Sequence, residues 1–101
     1  MTVFISLKRS DRPEKKYVVE LESSAGRRIR IHFGDSSLKD YTLFSAEERE
    51  QRKRNYLARH SATENWSDPE TAGFWSRWVL WGPYPSVQEN LKFTRRKFKL
   101  S

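Results

Sequence analysis

The chain has 101 residues, of which 36% are hydrophobic, 33% charged and 14% aromatic, with no cysteine and a net charge of +7. That length fits one domain around one modest core, and the missing cysteine removes disulfides, thiolate zinc sites and a cysteine nucleophile. So much charge describes a disordered chain unless the six Phe, four Tyr and four Trp build a core.

The positive excess selects acidic partners, and it is uneven. Up to Glu50 there are ten Lys and Arg against nine Asp and Glu; beyond it there are ten against four. The apolar stretch at residues 2–7 is too short for the core of a signal peptide, and no run approaches the roughly 18 apolar residues of a spanning helix. The expectation is a protein that is not secreted and has no membrane span.

In chain order, residues 2–7 mix β-branched and aromatic types and read as a first strand, closed by the polar turn Lys8-Arg9-Ser10-Asp11-Arg12-Pro13. Residues 15–22 read as a second strand. After Ser23-Ser24-Ala25-Gly26, a third strand sets Ile29, Ile31 and Phe33 on one face and Arg28, Arg30 and His32 on the other. Gly34-Asp35-Ser36-Ser37 ends the sheet, and Tyr41, Leu43 and Phe44 anchor a connection to the core.

Ser45 and Glu48 have the spacing of a capping box, which predicts a helix over residues 46–60 with Arg49, Tyr56 and Leu57 inward. Asp68-Pro69 supplies a cap and a first-turn proline for a second helix running to Trp81, with Phe74, Trp78 and Trp81 in an i, i+4, i+7 stripe. Beyond Gly82-Pro83, Tyr84-Pro85 opens a third helix in which Val87, Leu91, Thr94 and Phe98 align. The expected fold is therefore α+β: one domain, a small three-stranded antiparallel sheet at about residues 2–34 followed by three helices at about 45–100.

Two basic clusters stand out. Lys92, Arg95, Arg96, Lys97 and Lys99 follow Glu89 with no acid among them, and Phe93 and Phe98 interleave. Arg52, Lys53, Arg54 and Arg59 crowd the first helix; such a run is ordinarily a solvated face, though it also resembles a short nuclear-localisation signal. Both clusters are candidate phosphate contacts. The tryptophans of residues 74–82 have helical spacing and so read as core. Trp66 and Trp75 are the candidate interface rings, Trp66 as the more exposed. His32 and His60 have no metal-ligand spacing, and the carboxylate pair Glu47-Glu48 is accounted for by capping. No catalytic residue, metal site, cofactor or small-molecule substrate follows.

The order of Phe33-Gly34-Asp35, Tyr56-Leu57-Ala58-Arg59-His60, Phe74-Trp75-Ser76 and Leu80-Trp81-Gly82 resembles a family of small uncharacterised basic proteins of nucleocytoplasmic large DNA viruses. The resemblance runs from about Ile29 to Trp81. It implies a viral origin and a small accessory or virion-associated role, in the virion or in the host cytoplasm or nucleus, and brings no established activity. The leading expectation is a non-enzymatic protein that binds the nucleic-acid backbone, since no base-reading motif is present. The alternative is a minor capsid or cement-type protein docking on acidic surfaces of other virion proteins.

Overall fold

The structure, a computed structural model, describes residues 1–100. Strands β1 (Val3–Arg9), β2 (Lys15–Glu22) and β3 (Arg28–Asp35) form one antiparallel sheet in the order β1-β2-β3. Helices α1 (Arg49–His60), α2 (Ala72–Trp75) and α3 (Val87–Lys97) follow, with a π-helical turn over Ser76–Leu80 continuing α2. This is the α+β arrangement expected from the sequence.

Three cross-strand rows form the inner face: Phe4, Leu21 and Ile29; Leu7, Val19 and Ile31; Arg9, Tyr17 and Phe33. Phe4 and Leu7 lie three residues apart, so strict alternation would put them on opposite faces. A bulge between Phe4 and Ser6 resets the pleat and returns both side chains to the core. Above this face sit Phe74, Trp75, Val79 and Leu80, all buried. The i→i+5 bond from Trp81 N–H to Ser76 C=O, at 3.0 Å, widens the turn and brings Phe74 with Val79 and Trp75 with Leu80 into register.

Three helix boundaries depart from expectation, each for a hydrogen-bonding reason. The Ser45 to Glu48 capping box does not form. The backbone carbonyl of Ser45 already accepts from the N–H groups of Glu48 and Arg49, and α1 begins at Arg49. Asp68 closes a turn on the Glu70 N–H at 3.0 Å, leaving Thr71 to cap α2 by accepting from Phe74 N–H. Ser86, rather than Tyr84 or Pro85, caps α3 by accepting from Glu89 N–H. In the second helix the expected stripe also changes: Phe74 and Trp81 are buried, while Trp78 is only half-buried.

The connection between β3 and α1 is pinned at two points. Tyr41 N–H donates to the carbonyl of Leu80 at 3.1 Å, and Asp40 pairs with Lys16 at 2.6 Å with both side chains almost out of solvent. Asp40 also accepts from the backbone N–H and hydroxyl of Thr42, so its buried charge is met on several sides.

Candidate nucleic-acid interface

The two basic clusters occupy different parts of the molecule. On α3, Lys92, Arg96 and Lys97 are exposed, as is Lys99 just beyond its end, with Lys97 Nζ 5.4 Å from the Trp78 ring. Arg95 is also exposed but leans over the Phe4 ring of β1 at 4.5 Å, and its Nε reaches toward the Leu100 carbonyl. On α1, Arg52 and Arg59 are exposed and line a cleft, and Arg54 donates to Gln51 at 2.7 Å.

Lys53 is the exception among the proposed contacts. It turns inward, donates to the Gly82 carbonyl at 2.9 Å and sits 4.9 Å from the centre of the Tyr41 ring. Burial, then the neighbouring Arg77 charge, hold its ammonium below the ordinary lysine range, with Glu50 opposing. Arg77 is likewise pushed down by burial, lies between the Trp66 and Trp78 rings, and donates to the Trp81 carbonyl at 2.8 Å. Both cations face carbonyls near the end of the π-turn, where positive charge is favoured. Lys53 is thus a structural lysine.

Both candidate interface tryptophans are also drawn into the fold. Trp75 is 0% exposed, packs against Phe4, Phe33 and Phe74, and donates its indole N–H to the Pro69 carbonyl at 2.7 Å. It is core, because its one polar atom is satisfied inside. Trp66 is half-buried, parallel to Tyr56 with ring centres 6.5 Å apart, and donates to Glu64 at 2.8 Å while its carbonyl accepts from Trp78.

A cleft of about 480 Å³ draws together residues of separate sequence motifs, among them Phe33-Gly34-Asp35, Tyr56, Arg59 and His60, and Leu80-Trp81. Its mouth carries Lys15, Lys39, Arg52 and Arg59, which come from β2, from the loop after β3 and from α1. Its inner wall is Phe33, Tyr56, Leu80 and Trp81, all nearly buried. Gly34, at φ +83°, makes that wall possible: a Cβ there would stand 2.7 Å from Leu80 Cδ1.

Three carboxylates line the cleft, and each is already engaged. Asp40 holds Lys16; Asp35 accepts from the hydroxyl and backbone N–H of Ser37, which keep its carboxyl below the usual range; Glu64 meets His60 Nδ1 at 3.0 Å and the Trp66 indole. Among the described residues the ion pairs are Lys16 with Asp40 and Arg28 with Glu20, and His60 meets Glu64 as a hydrogen-bonded pair that is ionic only with a protonated imidazole. None uses an Arg or Lys of α1 or α3. No group of three or more His, Asp or Glu is gathered to hold a metal, and no helix is long and apolar enough to cross a membrane, among the described residues.

Sheet, helices and uncovered cationic cleft together define a small basic α+β domain. The chain belongs to DUF5754, a family of unknown function, which matches residues 5–60, from β1 through the end of α1. The matched segment contains all four cations of the cleft mouth and none of α3. No match is found among curated proteins or among solved structures.

Proposed function

We propose that this protein binds nucleic acid through the phosphate backbone, without catalysis, as an accessory protein of a large DNA virus. The observation that carries the reading is that the exposed Lys and Arg of α1 and α3 have no carboxylate partners in a chain of net charge +7. Cations left unpaired and hydrated retain their free energy for phosphate, and each phosphate they neutralise releases a counterion. Lys92, Arg96 and Lys97 on α3, with Lys99 just beyond its end, form one contact surface, and Arg52, Arg54 and Arg59 on α1 form the other. The viral setting rests on the order of sequence motifs alone.

Docking on an acidic protein surface is the second reading. It is favoured by Leu38, 62% exposed at the basic cleft, and by Leu43, 57% exposed in a second hollow beside Arg9 and Arg12, which would add apolar contact. Fluorescence anisotropy with single- and double-stranded DNA over a salt series separates the two. Backbone binding predicts affinity falling steeply with salt, and reversing Lys92, Arg96 and Lys97 to Glu should flatten the slope by about one for each phosphate no longer neutralised. Absence of binding at low salt would reject the nucleic-acid reading.

A further inference from the structure

We infer that the cleft between β3, α1 and the π-turn receives one unpaired nucleotide of a single strand, with its base inside and its phosphates at Arg52, Arg59, Lys15 and Lys39. This rests on the nucleic-acid reading and assigns it a second, structure-selective contact that α3 alone does not provide.

Size, charge and wall chemistry agree on such an occupant. A volume of about 480 Å³ falls within the range of small-ligand pockets, and a single nucleotide is of that order. The mouth presents four cations, whereas the carboxylates nearby are occupied by Lys16, Ser37, and His60 with Trp66. The inner wall is apolar, built from Phe33 of β3, Leu80 and Trp81 at the end of the π-turn and Tyr56 of α1. An anionic ligand with a flat apolar body satisfies both halves; a bare phosphate leaves the apolar wall in contact with water, and a neutral aromatic leaves the cations unmatched.

Polar groups inside the cleft suit a base edge. Asn55, exposed at the cleft, accepts from Gln51 through Oδ1, which leaves its amide nitrogen free to donate. The hydroxyl of Ser76 lies at the start of the π-turn, an irregularity often found at functional sites. His60 is oriented by Glu64 at Nδ1, and its Nε2 remains for a ligand. A base held in a duplex stack cannot enter a cleft between β3, α1 and the π-turn without being flipped out, so the site discriminates for unpaired strands.

The test uses the full chain, a labelled oligothymidylate and a blunt duplex of equal length in anisotropy titrations, with two cleft variants. Asn55→Trp fills the cleft from an exposed helix position, and Arg52→Glu with Arg59→Glu reverses its mouth; thermal melts verify that each is folded. Asn55→Trp should weaken single-strand binding at least about tenfold while leaving duplex binding within about twofold; Arg52→Glu with Arg59→Glu should weaken both, the single strand more, and reversal of Lys92, Arg96 and Lys97 should weaken both alike. Thymidine monophosphate should displace the strand at lower concentration than pyrophosphate does, and failure of the monophosphate to displace it would count against a one-nucleotide cleft. Equal losses for single strand and duplex in the cleft variants, unchanged binding by Asn55→Trp, or pyrophosphate competing as well as the nucleotide would overturn the cleft assignment. If the unaltered protein binds neither DNA, the broader nucleic-acid reading fails first.

Discussion

The Tyr56 ring lies against that of Trp81 with centres 4.6 Å apart and planes 9° from parallel, and this stack joins α1 to the rest of the molecule. Tyr56 is the buried residue of a helix whose other positions are largely polar, so one side chain carries much of its docking energy. Tyr56→Ala should cost roughly 3–5 kcal/mol, the usual range for deleting a buried ring, whereas Tyr56→Phe should cost under about 1 kcal/mol because the ring packing survives. Urea melts followed by tryptophan emission measure both. Equal losses for the two variants would show that the hydroxyl, rather than the stack, holds α1.

Alkaline pH should weaken the fold through the same residue. Burial, then Glu64, raise the Tyr56 phenol above its ordinary range, and the hydrogen bond to Glu50 does the same for Tyr41. Above the unfolded tyrosine value of about 10, the unfolded chain gives up protons that the folded one keeps, so stability falls as pH rises, by at most about 1.4 kcal/mol per pH unit for each tyrosine. Lys53 runs the other way. Its lowered folded value means the unfolded chain binds more protons in that window, so its unfavourable contribution fades as pH rises. Denaturant midpoints between neutral pH and about pH 11 should decline, and less so in Tyr56→Phe. A flat profile in the unaltered protein would contradict the burial assigned to this phenol.

The sheet was legible because alternation in Arg28 to Phe33 and the rings of Tyr17 and Phe33 mark one face. The bulge at β1 was not, since one extra residue leaves composition and pattern almost unchanged. Capping residues misled at Ser45 and Asp68 because backbone carbonyls and short turns competed for the same N–H groups. The α3 cations could be read from a continuous run. The cleft could not, because Lys15, Lys39, Arg52 and Arg59 lie on separate segments that only the tertiary fold unites. Lys53 and Trp75 had the right chemistry for a binding site, and local composition gives no sign of which way a side chain turns.

Asn90 was likewise hidden among exposed polar residues of α3, yet it is 0% exposed and ties the chain after the π-turn in place. Its amide donates to the carbonyls of Val79 and Tyr84 at 2.9 and 2.8 Å, and its Oδ1 accepts from Tyr84 N–H at 2.8 Å. Gly82 permits the approach: a Cβ there would meet Trp78 O at 2.2 Å and Asn90 Oδ1 at 2.7 Å. Asn90→Ala should cost about 3 kcal/mol by stranding those backbone groups. Asn90→Asp should cost more at neutral pH, where a carboxylate would face two carbonyls, and recover part of the loss in acid as it protonates. Thermal melts of both variants at two pH values decide this, and an Asp variant insensitive to pH would place that carboxylate outside the network.

Lys99 offers a test in which stability and binding should move in opposite directions. It has φ 55°, and Leu100 N–H donates to the Arg95 carbonyl while Lys99 N–H reaches the Arg96 carbonyl, the geometry of a Schellman end that favours glycine. A side chain in that conformation costs about 1 kcal/mol, so Lys99→Gly should stabilise the fold by about that amount. The same change removes an exposed cation from the proposed α3 surface and should reduce the salt slope of nucleic-acid binding by about one if Lys99 touches a phosphate. A more stable protein with an unchanged slope would remove Lys99 from the contact surface. A fall in both stability and affinity would instead mean that its side chain supports the helix end, against the strain its backbone shows.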